Sequence, residues 1–208
     1  MNPYNFALLF FSFCTLLIAL LIWLKRRDAI GRAYFVFSLF VTLWGSFLSV
    51  VYDQRAVYER ALFFARTGDV FAVFIPITWL HFIFVFTEQV RSKKQILFVL
   101  YFLSFIVASF GFTDWFIPRL KSTVGLIYYM HPGPVYHVFT VMFFLIISTG
   151  FIVLFKKIRV SPKEEKPQFI GFFIATASGF LGGALTFLPI YDIPFPQYGL
   201  FLMPVYPF

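Results

Sequence analysis

The 208-residue sequence is 61% hydrophobic and only 12% charged, and it contains 34 phenylalanines. A soluble domain of this size with so apolar a composition would aggregate, which excludes the classes of soluble enzyme and soluble binding protein. The formal net charge of +8 would suit a nucleic-acid-binding protein. The basic residues, however, form short clusters between apolar runs rather than one exposed face, which argues against nucleic acid as a partner.

Apolar runs long enough to cross a lipid bilayer follow one another along the chain. A helix needs about 20 apolar residues to cross a hydrocarbon core of about 30 Å. The runs predict an all-α, polytopic membrane helical bundle with six complete transmembrane helices and a partial seventh, forming one domain over residues 1–208. The predicted spans are 4–24, 33–52, 61–86, 96–112, 134–156, 169–189 and an incomplete seventh at 198–208. Because this last span is too short to cross, we expect a fragment or a truncated form.

Lysine and arginine are concentrated in the connections that follow the first, third and fifth spans. These connections hold twelve of the seventeen basic residues: Lys25, Arg26, Arg27, Arg32, Arg91, Lys93, Lys94, Lys156, Lys157, Arg159, Lys163 and Lys166. Basic residues accumulate in the cytoplasmic loops of membrane proteins. The distribution therefore predicts a multi-pass membrane protein with its N-terminus outside, and a seventh helix that leads into the cytoplasm.

The third span is the most polar, and it carries Arg66, Asp69 and His81. Arg66 and Asp69 are three residues apart and can pair with each other, which would lower the cost of charge near the membrane. Two interpretations stay open: simple pairing or snorkelling near the outer surface, and a polar site under the outer mouth of the bundle. His81 lies deeper and is the best single titratable candidate, although a lone intramembrane histidine is more often structural.

The connection between the fourth and fifth spans is unusually aromatic. It contains Trp115, Tyr128 and Tyr129, and we expect it to lie against the membrane interface or to cap the bundle. Asp192, which follows the sixth span, is placed to close over a ligand pocket together with these rings; an ordinary interface turn is the alternative. The candidate ligand-sensing residues are therefore Arg66, Asp69, His81, Trp115, Tyr128, Tyr129 and Asp192.

Small residues recur every four positions in the sixth span. Such a stripe lets another helix approach closely, because lipid provides no hydrophobic drive and packing must hold helices together. Packing within the bundle and a homodimer seam both stay open. The predicted helix-packing residues are Gly171, Ala175, Gly179 and Gly183.

Motifs for catalysis are missing from the sequence. The three histidines and the single cysteine, Cys14, show no metal-ligand spacing, and neither a phosphate-binding glycine loop nor a pair of intramembrane aspartates is present. The sequence therefore predicts no catalytic residue, no metal and no cofactor in this chain.

Three stretches carry a resemblance to a known family. They contain Phe64, Arg66, Phe74, Pro76, His81, Phe82, Phe86, Thr87 and Glu88 in the third span; Gln168, Gly171, Gly179, Gly182, Gly183, Leu188 and Pro189 in and after the sixth; and Tyr198, Gly199, Pro204, Val205 and Tyr206 at the start of the seventh. The chain resembles the N-terminal seven-transmembrane sensor region of bacterial membrane histidine kinases. The resemblance implies an input module of a two-component system, with kinase activity in a cytoplasmic output domain of the parent protein and action as a homodimer.

The resulting hypothesis is that a small or lipophilic ligand, or a membrane property, acts on the outer half of the bundle and shifts the last helix. A transporter or channel is the main alternative, and it predicts buried polar residues on several helices, whereas the polar residues here concentrate on the third span. A membrane scaffold without a ligand is the third hypothesis.

Overall fold

The computed structural model describes residues 3–53, 57–123 and 125–203. Five of its helices are long and apolar enough to cross a membrane. They are α1 (Pro3–Lys25), α2 (Ala29–Val51), α3 (Tyr58–Phe86), α5 (Pro134–Val160) and α6 (Lys166–Leu185), the last prolonged by the short helix α7 (Phe187–Ile190). The prediction of an all-α bundle of apolar helices is confirmed.

The fourth helix is shorter than the others. Helix α4 (Lys94–Ser109) has 16 residues, which at 1.5 Å per residue reach about 24 Å, less than a hydrocarbon core of about 30 Å. The predicted fourth span extended to residue 112, but the chain leaves the helix at Phe110 and enters a series of turns. The predicted count of six complete spans is thus not confirmed: five long helices and one shorter helix are present in the described part of the chain.

Local signals explain where several helices begin. The Asp28 side chain accepts a hydrogen bond of 2.9 Å from the backbone N–H of Gly31 and so caps the first turn of α2. Pro134 occupies the first turn of α5, where a missing N–H is tolerated. The longest helix, α3, contains Pro76 in its interior and is nevertheless continuous over 29 residues.

An antiparallel hairpin stands between α4 and α5, and the sequence did not predict it. Strand β1 (Arg119–Thr123) pairs with β2 (Leu126–His131), with Leu120 opposite Met130. Phe116 and Ile117, just before β1, are fully buried and belong to the main hydrophobic core. The connection therefore caps one end of the bundle, as expected; we call this the hairpin end.

Helix α3 occupies the centre of the bundle and is buried along most of its length. Trp79 is fully buried, with its ring centroid 4.9 Å from those of Phe151 and Phe180. Gly150 makes room for this indole, since a Cβ atom there would lie 2.0 Å from Trp79 Cζ3. The peripheral helices expose large apolar side chains such as Phe98, as expected where the solvent is lipid.

The last described segment folds back onto the bundle. A 3₁₀ helix, Gln197–Phe201, packs against α6 and α1. The predicted seventh span begins here, but its described part is this short 3₁₀ helix rather than an α-helix, and residues 204–208 lie outside the described residues. The prolines at 194 and 196 restrict the preceding backbone to extended conformations, which keeps an α-helix from starting earlier.

Candidate functional site

A cavity of about 70 Å³ lies at the hairpin end of the bundle. Helices α1, α2, α3, α5, α6 and α7, strand β2 and the last described segment all contribute to its wall. Aromatic and aliphatic side chains form most of the lining, and we call this space the Asp69 cavity after its acidic residue. Its lining residues are Phe11, Phe37, Val41, Trp44, Leu48, Asp69, Ala72, Ile75, Tyr129, Met130, Tyr136, Phe139, Phe143, Gly179, Phe180, Gly183, Thr186, Phe187, Ile190 and Met203.

Asp69 is only 2% exposed and is the one acidic or basic residue among the described residues of this wall. Its hydrogen-bonding neighbours are the side chains of Tyr136 and Trp44. Its second carboxyl oxygen, Oδ2, is buried and makes no hydrogen bond to any described residue. An unpaired buried carboxyl oxygen is costly unless a partner completes it, so the largely apolar wall of the cavity includes an acidic residue with one unsatisfied acceptor.

Arg66 does not pair with Asp69, although their spacing permits such a pair. Its guanidinium donates to the carbonyl oxygens of Ile117 (2.7 and 3.0 Å) and Phe112 (3.1 Å) and to Oδ1 of Asp114 (2.6 Å). The fork of five N–H donors matches these acceptors, whereas a single neighbouring carboxylate would use only two. Arg66 therefore fastens the turns before β1 to α3, and it is not part of the cavity wall.

Tyr129 is fully buried and joins the hairpin to the end of α6. Its hydroxyl donates a hydrogen bond of 2.5 Å to the carbonyl oxygen of Thr186, and it lies 3.5 Å from Oε1 of Gln197. Burial raises the pKa of the Tyr129 hydroxyl above its ordinary range, so the group stays a neutral donor. Tyr129 and Thr186 both line the cavity.

The other aromatic candidates of this connection lie outside the cavity. The Tyr128 ring is half-buried edge-on against Tyr58, at 5.9 Å between centroids. Trp115 is 62% exposed, and its contribution is a backbone carbonyl that accepts the Val135 N–H. Of the three rings expected to close over a ligand, the structure thus brings only Tyr129 to Asp69.

Asp192 forms an ion pair at the rim of the hairpin end. Its carboxylate lies 2.5 Å from Nζ of Lys121 on β1, and the same ammonium donates to the Ile190 carbonyl oxygen at 2.8 Å. The Lys121 ammonium holds the pKa of the exposed Asp192 carboxyl below its ordinary value. The pair fastens β1 to the end of α7, next to the cavity wall at Ile190, without entering the cavity.

His81 belongs to a different part of the bundle. Its Nδ1 atom lies 3.0 Å from the Tyr101 hydroxyl, so it links α3 to α4. It does not line the Asp69 cavity. Within the described ranges, no group of three or more His, Cys, Asp or Glu side chains could hold a metal ion.

The stripe of small residues on α6 contributes to the cavity at one end. Gly179 and Gly183 line it, whereas a Cβ at Gly171 would meet nothing within 4 Å. The tightest approach is made by Gly182, beside the stripe, where a Cβ would lie 2.5 Å from the Gly199 carbonyl oxygen. Gly182 thus lets the 3₁₀ helix lie directly on α6.

Sequence reasoning missed several cavity residues. Trp44, Tyr136 and Thr186 lie on apolar spans or at their ends and read as ordinary core positions. The available signal was the tyrosine hydroxyl and the tryptophan N–H, because each needs a hydrogen-bond partner when it is buried. Asp69 is a buried carboxyl group that can accept such a bond.

One family model matches residues 7–206, nearly the whole chain, and its description is the N-terminal 7TM region of histidine kinase. Neither the curated proteins nor the solved structures contain a significant match to the chain.

Proposed function

The chain belongs to the family of N-terminal seven-transmembrane regions of histidine kinases, and we propose that it receives a small or lipophilic ligand in the Asp69 cavity and transmits occupancy through its last segment. Family membership makes it a multi-pass membrane region and a sensory input of a kinase. The proposal adds the place of sensing and the route of transmission to a cytoplasmic output domain of the parent protein.

The single observation that carries this proposal is the composition of the cavity wall. One side is Asp69 on the central helix, and another is Met203, at the end of the described chain. The wall also includes Gly183, one residue from the tight contact between Gly182 and Gly199. A ligand in the cavity would therefore touch both the fixed core and the segment that leads towards an output.

Energetically, a ligand can shift this segment only by binding one arrangement of the wall more tightly than another. The contacts that would differ are those of the 3₁₀ helix, because α2 and α3 pack along their whole length whereas this segment is held mainly by α6 and α1. Packed interfaces of this kind respond in discrete steps rather than continuously.

Orientation follows from the basic residues. We place the hairpin end outside and the connections rich in lysine and arginine in the cytoplasm of the inner membrane. Residues 1–208 then form one sensor domain, and the output domain of the parent protein lies in the cytoplasm. A homodimer through the exposed part of α6 would agree with the open surface at Gly171.

Transport is not favoured by the buried side chains. A transporter that moves charged or strongly polar solutes needs ionisable groups on several helices along a path, whereas the buried polar residues of α1, α2, α4 and α6 that the structure describes are serines and threonines. Asp69 is the only charged side chain among the buried residues that the structure describes. One carboxyl group at one end of the bundle suits a binding site better than a pathway.

The test uses the chain joined to a histidine-kinase transmitter and reconstituted in lipid nanodiscs, with autophosphorylation as the readout. Ala72→Phe fills the cavity, since Ala72 is a buried lining residue. Ile174→Phe is the control, because Ile174 on α6 is 63% exposed. We expect Ala72→Phe to change kinase activity and the control to leave it unchanged. Equal activity of all three folded proteins would refute the proposed site.

A further inference from the structure

We propose that the ligand of the Asp69 cavity is a small lipophilic amine, bound as its ammonium ion with the Asp69 carboxylate as counter-ion. This inference rests on the proposed function, in that it names the class of ligand for the same cavity.

Charge is the first argument. Among the described residues, the wall holds one carboxyl group and no lysine, arginine or histidine. The nearest basic residue along α3, Arg66, is already hydrogen-bonded to Ile117, Phe112 and Asp114. A buried carboxylate is stable only with a partner that is charged or donates hydrogen bonds, and an ammonium ion would supply both the charge and the donors.

The unpartnered oxygen is the second argument. Asp69 lines the cavity, and its Oδ2 atom is buried and makes no hydrogen bond to a described residue. Tyr136 and Trp44 are the hydrogen-bonding neighbours of this carboxyl group. An ammonium group has three N–H donors and no acceptor, which is the complement of a carboxyl oxygen that lacks a donor.

Aromatic rings around the carboxylate are the third argument. Trp44, Tyr129, Tyr136 and Phe139 all line the cavity. Ring faces attract cations electrostatically, and aromatic cages recognise amines and quaternary ammonium ions for this reason. Ala72 and Ile75, one and two turns along α3, present an aliphatic wall to the alkyl part of such a ligand.

Size limits the ligand. A cavity of about 70 Å³ is about five to seven times the volume of about 10–15 Å³ that one water molecule needs on the same measure. Short alkyl amines therefore fit before any movement of the wall. A metal cation fits less well, because hard cations need about six oxygen ligands and this lining is mostly carbon.

The experiment measures binding to the full chain in lipid nanodiscs at pH 7, by ligand-observed NMR and by thermal unfolding. The probes are n-propylammonium chloride and its neutral analogue 1-propanol. On the wild-type chain we expect propylammonium to bind at least about tenfold more tightly, as expected for a hydrogen bond to a charged group. If propanol binds equally well or better, the amine inference is overturned, while the proposed function survives because the cavity still takes a ligand.

Variants locate the binding. Asp69→Asn keeps the shape and one acceptor, and we expect it to lower propylammonium affinity at least about tenfold while leaving propanol unchanged. Asp192→Asn is the matched control, since this exposed carboxylate pairs with Lys121 outside the cavity. Ala72→Phe should abolish binding of both probes. Unchanged propylammonium binding in Asp69→Asn or in Ala72→Phe would overturn the inference, and so would no binding to the wild type. The comparison of the two probes uses only the wild-type chain, so it tests the inference even if a variant fails to fold.

Discussion

The hydroxyl group of Tyr129 donates a hydrogen bond to the carbonyl oxygen of Thr186, and this bond joins the hairpin cap to the last turn of α6. Both residues are buried and both line the Asp69 cavity. The cap, the cavity and the segment that follows α6 are therefore one connected unit.

Removing this hydroxyl is expected to loosen the connection. Tyr129→Phe leaves the buried Thr186 carbonyl oxygen without its hydrogen-bond donor, which should lower the free energy of unfolding by about 1–3 kcal/mol. Tyr128→Phe is the control, because the adjacent Tyr128 ring is only half-buried against Tyr58. Thermal unfolding in nanodiscs measures both. A Tyr129→Phe protein as stable as Tyr128→Phe would show that the bond contributes nothing.

Arg66 is expected to be structural rather than ligand-binding. Arg66→Ala removes the donors to Ile117 and Phe112 and should cost about 3 kcal/mol or more, since hydrogen bonds from charged groups are each worth about 1.5–3 kcal/mol. Asp114→Asn removes only an ion pair with an 80% exposed carboxylate and should cost less than about 1 kcal/mol. Denaturation of the two variants gives the comparison. Equal losses would mean that the ion pair, not the backbone acceptors, holds Arg66.

Two glycine substitutions on α6 separate close packing from helix propensity. Gly182→Ala places a methyl group 2.5 Å from the Gly199 carbonyl oxygen, so the 3₁₀ helix must shift, at a cost of about 1–3 kcal/mol. Gly171→Ala meets nothing within 4 Å and should be neutral or stabilising by up to about 1 kcal/mol. Thermal unfolding distinguishes them. Matching stabilities would contradict the direct contact between the 3₁₀ helix and α6.

The Lys121–Asp192 pair is expected to respond to acid. Lys121 lowers the pKa of the Asp192 carboxyl in the folded protein, so the stability from this pair is present above the unfolded value of about 3.9 and is lost as pH falls through the lower folded value. Lys121→Met should bring the Asp192 titration back up towards about 3.9. Carbon-13 NMR of labelled aspartates follows this, with Asp28 as internal control because its pKa is lowered by Arg26. An Asp192 midpoint unmoved by Lys121→Met would disprove the assignment.

The helical bundle was predictable from the sequence because a helix needs about 20 apolar residues to cross a lipid bilayer, and runs of about this length can be read directly. The third span was expected to end at residue 86, and α3 does end at Phe86. The second was expected to begin at residue 33, but Asp28 caps α2 from Ala29, since a cap acts before the apolar run begins. The hairpin was not predicted, because aromatic residues such as Tyr128 and Tyr129 are common both at a membrane interface and in a strand.

The candidate site was only partly predictable. Asp69 was selected because charge in an apolar helix is expensive, and the structure places it in the cavity. The possible pair with Arg66 does not form, because a three-residue spacing permits a pair but does not enforce one. The acceptors that Arg66 uses are 46 to 51 residues away along the chain, and such non-local contacts leave no pattern in a single sequence. The roles of His81, Trp115, Tyr128 and Asp192 in ligand sensing stay predictions.

We propose that the Asp69 cavity sets the position of the last described segment, which contains the 3₁₀ helix Gln197–Phe201. The most direct measurement is the distance between spin labels at Tyr198→Cys on the 3₁₀ helix and Phe98→Cys on α4, which are 61% and 74% exposed, with the chain in nanodiscs. Filling the cavity with Ala72→Phe should move this distance by about 1–2 Å or more, the size of helix shifts in switching proteins, whereas Ile174→Phe should not move it. Distance distributions that coincide for the parent, Ala72→Phe and Ile174→Phe would contradict the claim.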